Sequence, residues 1–217
     1  MLLDRQSLGY GAAPVLTGVS FALAPGERVA LLGCSGAGKT TLLDALYDAL
    51  LAEGNRVALV PQEQGLVPQL SVLRNALMGR LDDHGALYNL TNLLRPRAKD
   101  RAGVGEVLSI LGLSSQTDRT VEGLSGGQKQ RVALARALWR GGDVLLGDEP
   151  VSALDETQGS EVLNHIAARF DRVVLALHDV DQALGFATRV VGLKDGRVVM
   201  DAAPAEIARA RIEALYA

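Results

Sequence analysis

Aromatic side chains are scarce in this chain: three Phe, four Tyr and one Trp among 217 residues. That leaves little for the stacking platforms on which single-stranded nucleic acids are held. Cysteine is scarcer still. Cys34 is the only one, so no disulfide can form within the chain, and such sparing use points to a reducing compartment. No apolar stretch approaches the ~18 residues that mark a bilayer-spanning helix. The opening Met1-Leu2-Leu3-Asp4-Arg5 lacks the apolar centre of a secretory signal. Basic runs are missing too. Lys and Arg number 22 against 25 Asp and Glu, a net charge of −3, so nucleic acid is not an expected partner. What is present is apolar: 48% hydrophobic residues suffice for a buried core and exclude charge-driven disorder. These features predict a soluble, cytoplasmic chain.

Short apolar runs alternate with longer stretches of helical period, which predicts an α/β fold built on a mostly parallel sheet. The expected strands are Val29–Leu32, Val57–Val60, Val144–Leu146, Val173–Leu177 and Val190–Leu193. Val19, Phe21 and Leu23 alternate with small residues, as in a half-buried antiparallel strand. Asp195-Gly196 signals a hairpin into Val198–Met200. From about residue 66 to 120 no strand is expected. Leu73, Leu77 and Leu81, then Val104, Val107, Leu108 and Leu111, carry helical spacing, with breaks at Gly85 and Pro96. This stretch is expected to be a helical insertion within one domain, residues 1–217.

Residues 33–41 read Gly33-Cys34-Ser35-Gly36-Ala37-Gly38-Lys39-Thr40-Thr41, a glycine, four residues, then Gly-Lys-Thr. The string follows an apolar strand and opens a helix with Leu42, Leu43, Leu46 and Leu50, the context a phosphate-binding loop requires. Its glycines let backbone N–H groups close around phosphate oxygens at the positive end of the helix dipole. Lys39 is placed to reach the β- and γ-phosphates, and the Thr40 hydroxyl to ligate Mg²⁺. Cys34 is read as a small residue filling a loop position, the plainer alternative to a redox role. Further on, Val144–Leu146 runs through Gly147 into Asp148-Glu149-Pro150. Ligands gather at the carboxyl edge of a parallel sheet. Asp148 is therefore a candidate Mg²⁺ ligand, and Glu149 a candidate acceptor for the proton of an attacking water. Gly147 marks a packing gap or a close backbone approach. Finally, Ser125-Gly126-Gly127-Gln128 stands at the start of another helical stretch, and Ser125, Gly126 and Gly127 are expected to expose N–H groups as a second phosphate-binding end.

With both strings present, the sequence resembles the ATP-binding cassette ATPases, the nucleotide-hydrolysing subunits of ABC transporters. Further matches lie in that family's order. Gln62 matches the Q-loop glutamine that touches Mg²⁺ and the attacking water. Ser152-Ala153-Leu154-Asp155 matches the D-loop, and His178 the switch histidine at the γ-phosphate. Tyr10, in Leu8-Gly9-Tyr10-Gly11, matches the aromatic that stacks on adenine. His84, His165 and Trp139 keep structural readings. The resemblance implies a P-loop NTPase fold with a RecA-like core, a helical subdomain and an antiparallel β subdomain. It also implies ATP and Mg²⁺ as ligands and a homodimer with ATP at its interface. There the Ser125–Gln128 string of one copy closes over ATP held by the other. It implies separate transmembrane permease subunits, a periplasmic solute-binding protein, and a place on the cytoplasmic face of the inner membrane. The groove beside the Gln62 loop, with Leu66 and Val67, is the expected permease contact. The alternative is a permease-free cassette acting on DNA or the ribosome.

Two stretches depart from, or refine, that pattern. Gln62 follows Lys39 by only 23 residues, where most cassettes spend more on an antiparallel excursion. A trimmed β subdomain is therefore expected, with Arg56–Val60 entering the core sheet directly. After Met200 only a short helix, Glu206–Leu215, is expected. Residues Leu70–Leu81 and Leu177–Leu184 look like the phosphonate-import type, which serves phosphonate, phosphite and related oxyanions.

Overall fold

A computed structural model describes residues 1–10 and 13–217; Gly11 and Ala12 lie outside the described residues. Strand β1 (Leu3–Leu8) and strand β2 (Leu16–Phe21) form a two-stranded antiparallel sheet. Six further strands make the main sheet: β3 (Arg28–Leu32), β4 (Val57–Val60), β5 (Val144–Asp148), β6 (Arg172–Ala176), β7 (Arg189–Lys194) and β8 (Arg197–Ala202). Their order is β4-β5-β6-β3-β7-β8, parallel throughout except for β8, which returns antiparallel on β7. The β7–β8 turn is the expected hairpin at Asp195-Gly196, both with positive φ (48° and 72°), as a type I′ turn demands.

The parallel strands read as unbroken apolar runs because both faces are covered. Val29, Leu31, Leu146 and Val174 face one core cluster, which holds β1, β2 and helix α1 (Lys39–Ala52). Ala30, Leu32, Leu145 and Leu175 face the other cluster. There lie helices α2 (Val72–Leu77), α4 (Ala98–Ile110), α5 (Gly126–Arg140), α6 (Glu156–Arg169) and α7 (Val180–Phe186), with α3 (Ala86–Leu94) between α2 and α4 and α8 (Arg209–Tyr216) closing the chain. Leu42, Leu46 and Leu50 of α1 are fully buried, each stabilising the fold by about 1.5–3 kcal/mol.

Helix α1 ends in a Schellman motif. Gly54 takes φ 81°, its N–H reaches Leu51 O, and the Asn55 N–H reaches Leu50 O. The chain then turns straight into β4, with Arg56 N donating to the Asp143 carboxylate. No strand intervenes between Gly54 and Val57, so the trimmed connection is a feature of the fold. Four expectations change in detail. Strand β1 was not foreseen. Strand β2 stops at Phe21, leaving Leu23 beyond it. Leu81 lies outside α2, in a 3₁₀ segment Met78–Asp83 whose Arg80 breaks helical geometry (φ −119°, ψ 26°). The terminal helix starts at Arg209, after a 3₁₀ turn at Pro204–Glu206. Among the described residues no helix is long and apolar enough to cross a membrane.

Candidate functional site

The carboxyl ends of β3, β4, β5 and β6 deliver Gly33–Gly38, Gln62, Asp148-Glu149 and His178 to one edge of the sheet. A cleft of about 240 Å³ lies there, lined by Ser35, Gly36, Gly38, Lys39, Thr40, Thr41, Gln62, Asp148 and Glu149, with Val15 at its side. Two glycines of the loop are sterically required. A Cβ on Gly33 would stand 2.4 Å from Leu193 O, and one on Gly38 2.7 Å from the Leu16 side chain, both at positive φ. Ala37 is buried beneath the loop. The buried Lys39 ammonium bridges the carbonyls of Gly33 (2.7 Å) and Cys34 (3.0 Å), tying the loop's start to the first turn of α1. Cys34 itself is exposed, and its thiol donates to Leu215 O (3.4 Å) on the terminal helix.

Thr40 Oγ1 donates to Asp148 Oδ2 at 2.5 Å across the cleft, and Asp148 is buried. A buried carboxylate whose side-chain partner among the described residues is a hydroxyl, both hard oxygen donors, suits a divalent cation. Among the described residues no group of three His, Cys, Asp or Glu stands together.

Glu149 is half-buried, and its Oε1 lies 2.5 Å from Nε2 of the exposed His178. Its backbone is left-handed, φ 53°. For a non-glycine residue such a conformation costs on the order of 1–3 kcal/mol and persists only where its surroundings over-determine it. Gly147, before this pair, marks a close approach: a Cβ there would meet Leu175 Cδ2 at 2.9 Å and Pro150 Cγ at 3.1 Å.

The Ser125 string is built differently. Ser125 caps α5, and with Gln128 it forms a capping box: Gln128 N donates to Ser125 Oγ (3.3 Å) and Ser125 N to Gln128 Oε1 (3.0 Å). The expectation of freely exposed N–H groups is thus corrected for Ser125, whose N–H the Gln128 side chain occupies. Gly126 and Gly127 keep theirs without a partner among the described residues. None of Ser125–Gln128 lines the cleft. Tyr10 also stands apart from it. It is 67% exposed, and its hydroxyl donates to Asp44 on α1; this bond holds the phenol pKa above its ordinary value.

Two residues that sequence reading passed over bind the site's backbone. Gln130 Nε2 donates to Glu149 O (2.5 Å) and Ser152 Oγ (2.9 Å). The Arg136 guanidinium, its pKa lowered by burial, donates to Gln64 O (2.7 Å) and Gly65 O (2.8 Å) in the loop after Gln62. Their only sequence signal was a place on the helix that the Ser125 string opens. Leu66 packs on the core, and Val67 is locked by Asn75, which accepts its N–H (2.8 Å) and donates to its carbonyl (3.0 Å).

The sequence profile of the ABC transporter family matches residues 16–152, more than half of the chain. The chain belongs to this family. It is 38% identical over 241 aligned positions to the phosphonates import ATP-binding protein PhnC of Pseudomonas putida, covering 99% of this chain and 89% of that one. With the phosphite import ATP-binding protein PxtA of Stutzerimonas stutzeri it shares 37% over 240 positions, covering 99% and 86%. A dimeric structure of a bacterial ABC transporter cassette superposes with a TM-score of 0.79 at 25% identity, covering 93% of this chain and 97% of that one. A cassette in a dimeric post-hydrolysis state, bound to ADP and Pi, gives 0.78 at 25% identity over the same shares. The ABC protein is thus a P-loop ATPase, the ATP-hydrolysing subunit of a membrane-associated transporter. An action on DNA or the ribosome is not favoured.

Proposed function

We propose that this ABC ATPase drives import of phosphonate- or phosphite-class oxyanions through separate permease subunits on the cytoplasmic face of the membrane. A periplasmic binding protein supplies the cargo. The cargo class rests on the names of its relatives. The two-copy arrangement rests on one observation: the Gly33–Thr41 cleft and the Ser125–Gln128 string stand apart in a single chain. In the proposed pair, each ATP lies on the loop of one copy and under the Ser125 end of the other. The helices between Val72 and Ile110 form the inserted subdomain of a single domain spanning residues 1–217. The permease seats beside it, at Leu66 and Val67.

In the site, loop N–H groups and Lys39 hold the β- and γ-phosphates, and Lys39 exchanges its two carbonyl partners for phosphate oxygens. Tyr10 stacks on adenine. Thr40, Asp148 and Gln62 would hold Mg²⁺, which would supply charge neutralisation at the phosphates. Glu149 accepts a proton from the water that attacks the γ-phosphorus in line, while the bond to the leaving ADP oxygen breaks. His178 orients the Glu149 carboxylate from 2.5 Å, and in the closed pair reaches the γ-phosphate. Gly126 and Gly127 of the other copy add donors as charge develops.

Deletion of the gene from its host tests the cargo. Uptake of a phosphonate or phosphite supplied as sole phosphorus source should stop, with orthophosphate uptake intact and wild-type chain, but not Glu149→Gln, restoring it. Undiminished uptake of both oxyanions contradicts the cargo class.

A further inference from the structure

Glu149 holds a conformation that two local features oppose. It carries a Cβ at φ 53°, and it precedes Pro150, whose ring steers its neighbour toward extended backbone with negative φ. Something outside the local sequence must hold it there. Its N–H donates to Ala176 O on β6 (3.1 Å). Its carbonyl collects three donors: Gln130 Nε2 at 2.5 Å, Ser152 Oγ at 3.1 Å and Ser152 N at 3.3 Å. The two Ser152 contacts come from the same turn and move with it. Of the three carbonyl donors among the described residues, only Gln130 comes from another element, α5, and it also donates to the Ser152 hydroxyl at 2.9 Å. Helix and turn are pressed together beside this clamp, since a Cβ on Gly127 would lie 3.1 Å from Ala153 Cβ.

We propose that Gln130 is a positioning residue for hydrolysis. Its amide clamps the Glu149 carbonyl, fixing the left-handed backbone that brings the carboxylate to the cleft beside His178. The inference rests on the reading of Glu149 as proton acceptor. Without the clamp, the Glu149–Pro150 segment relaxes toward extended backbone and the carboxylate leaves its place. The Gly33–Thr41 loop, to which Gln130 makes no hydrogen bond, keeps its grip on ATP. The clamp also joins the helix that serves the other copy's ATP to the carboxylate that serves its own.

Steady-state kinetics of Gln130→Ala and Gln130→Glu test this. The second variant keeps the shape but sets a carboxylate oxygen against the Glu149 carbonyl. Misplacing a reacting group by about 1 Å can cost ~10²-fold, so kcat should fall about 10- to 100-fold, further for Glu than for Ala. KM for ATP should stay within about twofold, and the melting temperature close to wild type. Unchanged kcat, or a risen KM at intact kcat, overturns the proposal. A fold defect is separated by mixing chains. One copy carries Lys39→Ala and the other Ser125→Arg, so the single whole site uses Glu149 of the Ser125→Arg copy. Gln130→Ala in that copy should cost at least about tenfold more activity than Gln130→Ala in the other, and equal losses overturn the clamp. If mixed pairs form but are inactive before Gln130 is touched, the two sites do not act independently, and the kcat–KM split in the unmixed chain still decides the role of Gln130.

Discussion

The first turns of α1 and α5 both open on small residues that aim N–H groups out of a helix start, yet the chain finishes them differently. At α1 the loop is enclosed. Gly33 and Gly38 are pressed against Leu193 and Leu16, Lys39 is buried, and Asp148 at the end of β5 and Glu149 just after it line the same cleft. At α5 the start is exposed and caps itself, with Ser125 and Gln128 taking each other's N–H. The first is a cleft whose loop, lysine and carboxylates all come from one chain. The second is stable alone but presents only the N–H pair of Gly126 and Gly127. A self-capped end is stable in water without a ligand, because Ser125 and Gln128 meet two of its orphan donors and water reaches the rest. In the proposed pair this difference assigns the first end to binding before closure and the second to recognising what is already bound.

Substitutions at the two ends should break this contrast in different ways. The largest loss is expected at Glu149, on the enclosed side, where Glu149→Gln keeps size but cannot accept a proton. Turnover should fall about 10²–10⁴-fold, with ATP affinity near wild type by fluorescent-nucleotide titration. Lys39→Ala should lower turnover about 10²–10³-fold, the scale for removing one donor to developing charge. It should weaken ATP binding by the single chain as well. Ser125→Arg, on the self-capped side, should spare single-chain binding and lower hydrolysis at least about tenfold, the mark of an interaction made only as the site closes. Weak ATP binding by Ser125→Arg would erase the contrast. The smallest effect belongs to Ser125→Ala, which deletes the cap. It should cost about 1 kcal/mol, a fall of about 2–4 °C in melting temperature for a chain of this size, read by calorimetry.

Most of the enclosed end was legible in sequence because its constraints are local: a strand, a loop of fixed spacing and a helix follow one another without interruption. The same holds for the apolar strands and for the direct entry of Val57–Val60, which the short interval from Lys39 to Gln62 already implied. Strand β1 was hidden because its residues Asp4–Ser7 are exposed, leaving only Leu3 and Leu8 as apolar signal. Leu81 kept the helical period while Arg80 left helical geometry, a departure that spacing cannot carry. Gln130 and Arg136 were illegible for a deeper reason. Each acts through a hydrogen bond to the backbone of a segment 19 or 71–72 residues away, and backbone acceptors leave no residue-type signature. The capping box was readable in principle, as Ser125 and Gln128 three residues apart, but the phosphate reading of the same string concealed that one N–H was already taken.

The central claim, that the Ser125 end of one copy completes the cleft of another, is tested most directly by the mass of Glu149→Gln in solution. With hydrolysis blocked, ATP persists, and binding that favours the closed pair draws chains together by mass action. Light scattering with ATP and Mg²⁺ should give twice the chain mass of 22.9 kDa, returning to the single-chain mass when ADP replaces ATP or when Ser125→Arg is added. A mass that stays at one chain with saturating ATP, or a dimer that forms equally with ADP and with Ser125→Arg, would contradict it.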